Sequence, residues 1–436
     1  MTTGRPVRLL IACALAELSV FGTPSAQAIS PPRIDDRWLP KPALPAPPQR
    51  TAQREVCAVL QANSPPGQNQ LTDLQLPQVW QLTRGAGQRV AVIDTGVSRH
   101  PRLPDVIAGG DYVSTGDGTQ DCDAHGTLVA GIIAATPDPK TDSFSGVAPE
   151  VALISIRQSS AKFAPSSGQS GTGMGDVDTM ARAVRTAADL GASVINISSV
   201  ACVPVGSALD DRALGAALAY AVDIKNAVVV AAAGNTGGTA QCPQQRSDAS
   251  WETATVAVSP AWYDDYVLTV GSVNSQGAPS AFTLAGPWVD VAAAGEAATS
   301  LGSAPVSGTS YAAPVVTGVA ALIRARFPAL TARQVMQRIE STAHHPPAGW
   351  DALVGHGTVD AFAAVSTDLA PAANTSAPSP ASVPITPPAT PRPPDPHARN
   401  TAFGGAAICL VGLLTVLTIG AAKGGLRRSR DRVPGD

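Results

Sequence analysis

Charge, aromatic rings, cysteine and histidine are all scarce in this chain. Only 14% of its 436 residues are charged, the formal net charge is −3, and aromatics make up 4%. No basic face is large enough to engage nucleic acid, so that class of partner is excluded. No acidic cluster has the spacing of a calcium loop, so neither metal nor cofactor is expected. With few rings available, alanine, valine and glycine must build the core, which suits helices packed closely on a sheet. There are six histidines and six cysteines, so each one in a patterned context is informative.

Apolar residues are plentiful, at 44%, enough for one domain of about 250–300 residues. The N-terminus reads as a targeting signal. Arg5 and Arg8 precede the run LLIACALAELSVFG, and SAQA ends at Ala28 with the small-x-small pattern of a signal-peptidase site. Glu17 interrupts the run and leaves an uncleaved anchor as the alternative. At the other end, Ala402 to Ala422 holds no charged residue in 21 positions, and a helix of that length rises about 31 Å, enough to span a bilayer core. Lys423, Arg427, Arg428, Arg430 and Arg432 follow. Such a cluster stays cytoplasmic, which places the bulk of the chain outside the cell membrane. Cys13 and Cys409 fall in these two segments. Cys57, Cys122, Cys202 and Cys242 remain in the exported part, an even number in an oxidising setting that permits three pairings.

The expected layout is a signal peptide (1–28), a proline-rich arm (29–80), an α/β domain (81–365), a proline-rich linker (366–400), a membrane helix (401–422) and a basic tail (423–436). The arm, with PPRIDDRWLPKPALPAPPQR, reads as extended and not as a packed unit. In the domain, RVAVID, VALISIR, SVINIS and AVVVAAAG read as buried strands. TLVAGIIAA, VDTMARAVRTAADLG and ALGAALAYAVDIKN read as helices. This alternation predicts a mostly parallel central sheet with helices on both faces.

In such a sheet chemistry gathers beyond the carboxyl ends of the strands. Asp94 ends a strand in AVIDTGV, and Asn235 follows another in VVVAAAGN. His125 opens a helix in HGTLVAG, and Ser310 opens another in VSGTSYAAP. Each has a bland reading: a turn cap for Asp94, a helix-start residue for His125, a turn residue for Asn235, a helix cap for Ser310. Together they are complementary. A serine hydroxyl needs a base, an imidazole needs a carboxylate to fix its tautomer, and an oxyanion needs an amide and a backbone N–H.

The three motifs AVIDTGV, HGTLVAG and SGTSYAAP resemble those of the subtilisin-like serine proteases over about Gln75 to Ala364, in the chain order Asp, His, Ser of subtilisin. The resemblance implies a subtilisin-like fold and a serine endopeptidase. Asp94 would be the orienting acid, His125 the general base, Ser310 the nucleophile and Asn235 the side-chain donor of the oxyanion hole. The wider layout resembles the mycosins of actinobacterial type VII secretion systems. That implies a membrane-anchored, extracytoplasmic protease that acts on protein substrates and stabilises the secretion membrane complex. Frequent arginine and alanine suit a high-GC actinobacterium. With Cys57 in the arm, Cys122 three residues before His125, and Cys202 and Cys242 on strand exits, Cys57–Cys122 and Cys202–Cys242 are the expected pairs. The first ties arm to domain, as in mycosins.

Departures from the pattern are Ala294 where many relatives have proline, and Val200 where the cleft wall often has glycine. The arm is shorter than many inhibitory prodomains, which speaks against autocatalytic maturation. Competing readings are a sedolisin-type acid peptidase, which would carry glutamate in place of His125, a housekeeping surface subtilase, and a secretion scaffold whose protease activity is dispensable.

Overall fold

Seven short apolar segments make one sheet: β2 (Arg89–Asp94), β3 (Val106–Asp111), β4 (Ala152–Arg157), β6 (Val194–Ile197), β8 (Val228–Ala232), β10 (Leu268–Val273) and β11 (Val291–Ala294). The computed structural model describes residues 28–60, 70–138, 144–167, 173–238, 241–302 and 304–367. The strand order is β11-β10-β8-β6-β2-β4-β3, and every pairing is parallel. Residues of β6, β8 and β10 are buried without alternation, as in a sheet covered on both faces.

Two helical layers provide that cover. Helix α5 (Thr309–Arg326) packs against α2 (His125–Ala134) and along β6, β8, β10 and β11. Helix α3 (Val177–Asp189) packs against α4 (Arg212–Ala219) and along β2, β4 and β6. Helix α2 is buried at every position after His125, as expected of a helix that is apolar all round. By contrast α3 is amphipathic and opens with a reciprocal cap between Asp176 and Thr179. Two further helices, α6 (Ala332–Thr342) and α7 (Ala361–Ser366), close the domain. The chain leaves β4 on one side of β2 and returns as β6 on the other. The crevice of an open parallel sheet lies at such a reversal, beyond the strand ends.

The arm differs from the loose segment that its prolines suggest. Ile29 N–H donates to the Trp251 carbonyl at 2.8 Å, and Arg212 lies over the Trp38 ring at 3.8 Å. Strand β1 (Thr51–Gln53) pairs antiparallel with β5 (Phe163–Pro165). The side-chain amide of Gln70 exchanges two 2.9 Å hydrogen bonds with the Thr299 backbone. Leu71, Leu74, Leu76 and Val79 are then buried in the main core, and helix α1 (Leu76–Leu82) runs across the expected boundary at 80/81. Those four apolar positions, at spacings of two and three, make the segment part of the domain despite the proline run before it.

The expected signal peptide, linker, membrane helix and basic tail lie outside the described residues apart from Ala28, Ser366 and Thr367. Among the described residues no helix is long and apolar enough to cross a membrane. Because Leu74 is 6% exposed, Leu74→Ala is expected to destabilise the domain by about 2–4 kcal/mol. Denaturant unfolding of the full-length chain checks this, and an unchanged midpoint would mean the arm only rests on the surface.

Candidate active site

Asp94 ends β2 with no exposed surface. Its Oδ1 accepts from His125 Nδ1 at 2.6 Å and from the Thr95 N–H at 2.7 Å. With Nδ1–H committed to the carboxylate, Nε2 is left as the free acceptor of the ring. The loop that delivers His125 is built around a second carboxylate. Asp121 accepts from Thr95 Oγ1 at 2.8 Å, from Thr127 N–H at 2.8 Å and from Thr127 Oγ1 at 2.6 Å. Ala124, just before the histidine, takes the left-handed conformation with φ 65°, which costs a residue with a Cβ about 1 kcal/mol. The bonds around Asp121 outweigh that cost and hold the turn.

The His125 side chain is 29% exposed, and three carboxylates surround it. Burial disfavours the imidazolium, but Asp94 first, then Asp121 and Asp123, more than offset it and raise the His125 pKa over that of an ordinary imidazole. Tyr311 packs its ring 5.3 Å from the imidazole, tilted by 47°. Burial, Asp94 and Asp121 push the Tyr311 phenol up to about 12, so it stays neutral at working pH.

Ser310 is the second residue of α5, where a backbone N–H has no intrahelical acceptor. Pro314, inside the same helix, has no N–H to give the Ser310 carbonyl. Ser198, just beyond β6, supplies the missing donor: its Oγ donates to the Ser310 carbonyl at 3.1 Å. In return Ser310 Oγ donates to the Ser198 carbonyl at 3.0 Å. Two buried groups orient Ser198, since Thr317 Oγ1 donates to Asn196 Oδ1 at 2.9 Å and Asn196 Nδ2 donates to Ser198 Oγ at 2.9 Å. Ser310 Oγ makes no hydrogen bond to His125 in this structure. Such contacts commonly tighten only with substrate bound.

Asn235 lies three residues past β8. Its Oδ1 accepts from Thr309 N–H at 2.9 Å and from Thr309 Oγ1 at 3.1 Å. A backbone N–H can only donate, so the opposite face of the carboxamide is the NH2 group. Nδ2 donates to no described residue and is available beside Gly308, where a Cβ would lie 3.4 Å from it. The four residues singled out in the sequence thus fall into two linked pairs, Asp94 with His125 and Asn235 with the start of α5. Ser198, Asn196, Thr317, Asp121 and Tyr311 were not found by sequence reasoning. The signal for the first three was polar side chains inside the otherwise apolar segments SVINIS and VVTGVAALI.

Both expected cystine pairs are formed, Cys57–Cys122 and Cys202–Cys242. Beside Ser199 and Val200 a cavity of about 110 Å³ is lined by Met174, Val177, Met180 and Leu214. Among the described residues no group of three or more His, Cys, Asp or Glu is placed to hold a metal ion. A hydroxyl, an imidazole held by a carboxylate, and two unengaged N–H donors are the equipment of acyl transfer.

A family model described as the subtilase family matches residues 85–357. The chain belongs to the subtilase family, in its mycosin branch. It is 68% identical to Mycosin-4 of Mycobacterium tuberculosis over the whole of both chains. Mycosin-3 of the same organism is 44% identical, covering 96% of this chain and 98% of that one. Among solved structures, a MycP3 protease from the type VII (ESX-3) secretion system superposes with a TM-score of 0.73 at 46% identity, over 78% of this chain and 100% of that one. A chain of an intact ESX-5 inner membrane complex matches with a TM-score of 0.71 at 41% identity, over 91% of this chain and 100% of that one. This subtilase has the subtilisin-like α/β fold and is a serine endopeptidase.

A base must be neutral to accept a proton, so if His125 is the base, activity is expected to fall as pH drops through its pKa. The acidic limb of kcat/KM is therefore expected at higher pH than an ordinary imidazole would give. Asp123→Asn removes one of the charges that raise it, so the limb is expected to move to lower pH. A pH–rate profile of both proteins checks this, and a limb that stays in place contradicts the electrostatic assignment.

Proposed function

We propose that Ser310 is the nucleophile of a membrane-anchored endopeptidase, with His125 as general base, Asp94 as orienting acid and Asn235 as an oxyanion donor. Ser310 Oγ turns from the Ser198 carbonyl to His125 Nε2, loses its proton there and attacks the carbonyl carbon of the peptide bond. The oxyanion forms between Asn235 Nδ2–H and the Ser310 N–H, at the positive end of α5. His125 returns the proton to the leaving amine. Water then repeats the sequence on the acyl-enzyme. The observation that carries this reading is the 2.6 Å bond between His125 Nδ1 and the buried Asp94 at the reversal point of the sheet.

The domain is held outside the cytoplasmic membrane by the segment 401–422, with the tail 423–436 inside and 366–400 as a stalk, after loss of 1–28. Residues 29–80 serve as an arm whose last part, from Leu71 onward, is packed into the core of the catalytic domain that runs on to 365. Its setting is a type VII secretion membrane complex, where it processes exported proteins and stabilises the assembly. Support comes from the MycP3 protease of the ESX-3 system and from the chain within the ESX-5 inner membrane complex, which matches 91% of this chain. That second match also supports a place within the membrane assembly.

Ser310→Ala and His125→Ala are expected to abolish peptide hydrolysis by the full-length chain with its fold intact. Asn235→Ala is expected to lower kcat by about 10²–10³, the range that loss of one oxyanion donor costs in subtilisin, a relative. Undiminished cleavage by Ser310→Ala overturns the nucleophile. In cells, deletion of the chain is expected to stop type VII export while Ser310→Ala retains export and loses processing. Normal export after deletion, with no related protease present, leaves only a housekeeping surface subtilase.

A further inference from the structure

We infer that the Cys202–Cys242 disulfide is a positioning element for Asn235, holding its carboxamide where the oxyanion forms. The inference rests on the reading of Asn235 as an oxyanion donor. Cys202 lies four residues after Ser198, whose carbonyl holds the Ser310 hydroxyl. It belongs to β7 (Ala201–Pro204), which is outside the seven-stranded sheet and pairs only with β9 (Val256–Ser259). Cys242 belongs to the segment that follows Asn235 at the end of β8, the strand that neighbours β6. Its N–H donates to the Asn235 carbonyl at 2.9 Å.

The sulfur of Cys242 also fills the space behind the Gly234–Asn235 peptide. A Cβ at Gly234 would stand 2.9 Å from Cys242 Sγ, 3.3 Å from Leu284 Cδ2 and 3.5 Å from Val200 Cγ2. Gly234 has φ 103°, a left-handed value that glycine accommodates, and the bare backbone is what lets the sulfur approach. Cys242 is only 8% exposed and Cys202 is partly buried against the core, so the Cys242 end of the bond is packed into the interior. Around Asn235 the other tethers include hydrogen bonds: Gly234 N–H to Thr309 Oγ1 at 3.2 Å, Leu284 N–H to the Gly234 carbonyl at 3.0 Å, Thr236 N–H to the Phe282 carbonyl at 2.8 Å, and the two from Thr309 to Asn235 Oδ1. The disulfide is a covalent link between the segment that follows Ser198 and the segment that follows Asn235.

An oxyanion donor works only when fixed before the charge develops. Loosening the Gly234–Asn235 peptide therefore weakens a contact made in the transition state and spares substrate binding along the cleft. That loss appears in kcat and not in KM.

The test is a cycle of four full-length proteins: unmodified, Cys202→Ala with Cys242→Ala, Asn235→Ala, and the triple variant. Each is assayed on one chromogenic peptide, with kcat normalised to the fraction labelled at Ser310 by a fluorophosphonate, so that unfolded chains do not count. Removing the disulfide is expected to lower kcat about tenfold with KM nearly unchanged. The triple variant is expected to match Asn235→Ala within about twofold, because the two changes act on one group. An undiminished kcat without the disulfide overturns the inference, as does the same loss in both backgrounds. If Asn235→Ala itself loses nothing, the reading of Asn235 fails first. Should the alanine pair not fold, Cys202→Ser with Cys242→Ser is read in the same cycle.

Discussion

A carboxylate with no exposed surface must be met by hydrogen-bond donors, or its burial is prohibitively costly. Asp94 imposes that constraint at the end of β2, and His125 meets it at 2.6 Å. The loop before the histidine is shaped to make the meeting possible. Asp121 gathers Thr95 and Thr127 around it, Ala124 takes a left-handed turn, and Gly126 lets the start of α2 lie against Gly96. The Cys57–Cys122 bond then fastens the arm to this same loop. Fold, loop and arm converge on one ion-pairing geometry.

The other half of the cleft depends on a defect. Pro314 deprives the Ser310 carbonyl of its helical donor, and Ser198 fills the gap from the end of β6. The repair is what locks the start of α5 to the sheet, because Ser198 is itself aligned by Asn196 and Thr317. Gly295 permits the approach from the end of the edge strand β11, since a Cβ there would stand 2.7 Å from the Gly308 carbonyl and 3.0 Å from Ala312 Cβ. The small residues after Ser310 thus have a packing reason as well as a chemical one.

Much of this was legible in the sequence. Unbroken apolar strands announced a sheet covered on both faces, and AVIDTGV, HGTLVAG and SGTSYAAP placed the three candidate groups at element ends. What escaped was non-local. Nothing in SVINIS says that its asparagine and serine serve a proline more than a hundred residues later. The prolines of the arm masked the apolar spacing of Leu71, Leu74, Leu76 and Val79, which ties that segment into the core. Tyr311 stood in plain view after the serine, but only the folded chain brings its ring to the imidazole of His125.

The central claim is that the buried Asp94–His125 pair and the start of α5 form one reactive site. It is tested most directly by covalent capture. The full-length chain is treated with a fluorophosphonate and digested, and the modified residue is located by mass spectrometry. The account predicts a single adduct on Ser310, lost when His125 is replaced by alanine. An adduct on another residue, or equal labelling of Ser310 without His125, would contradict it.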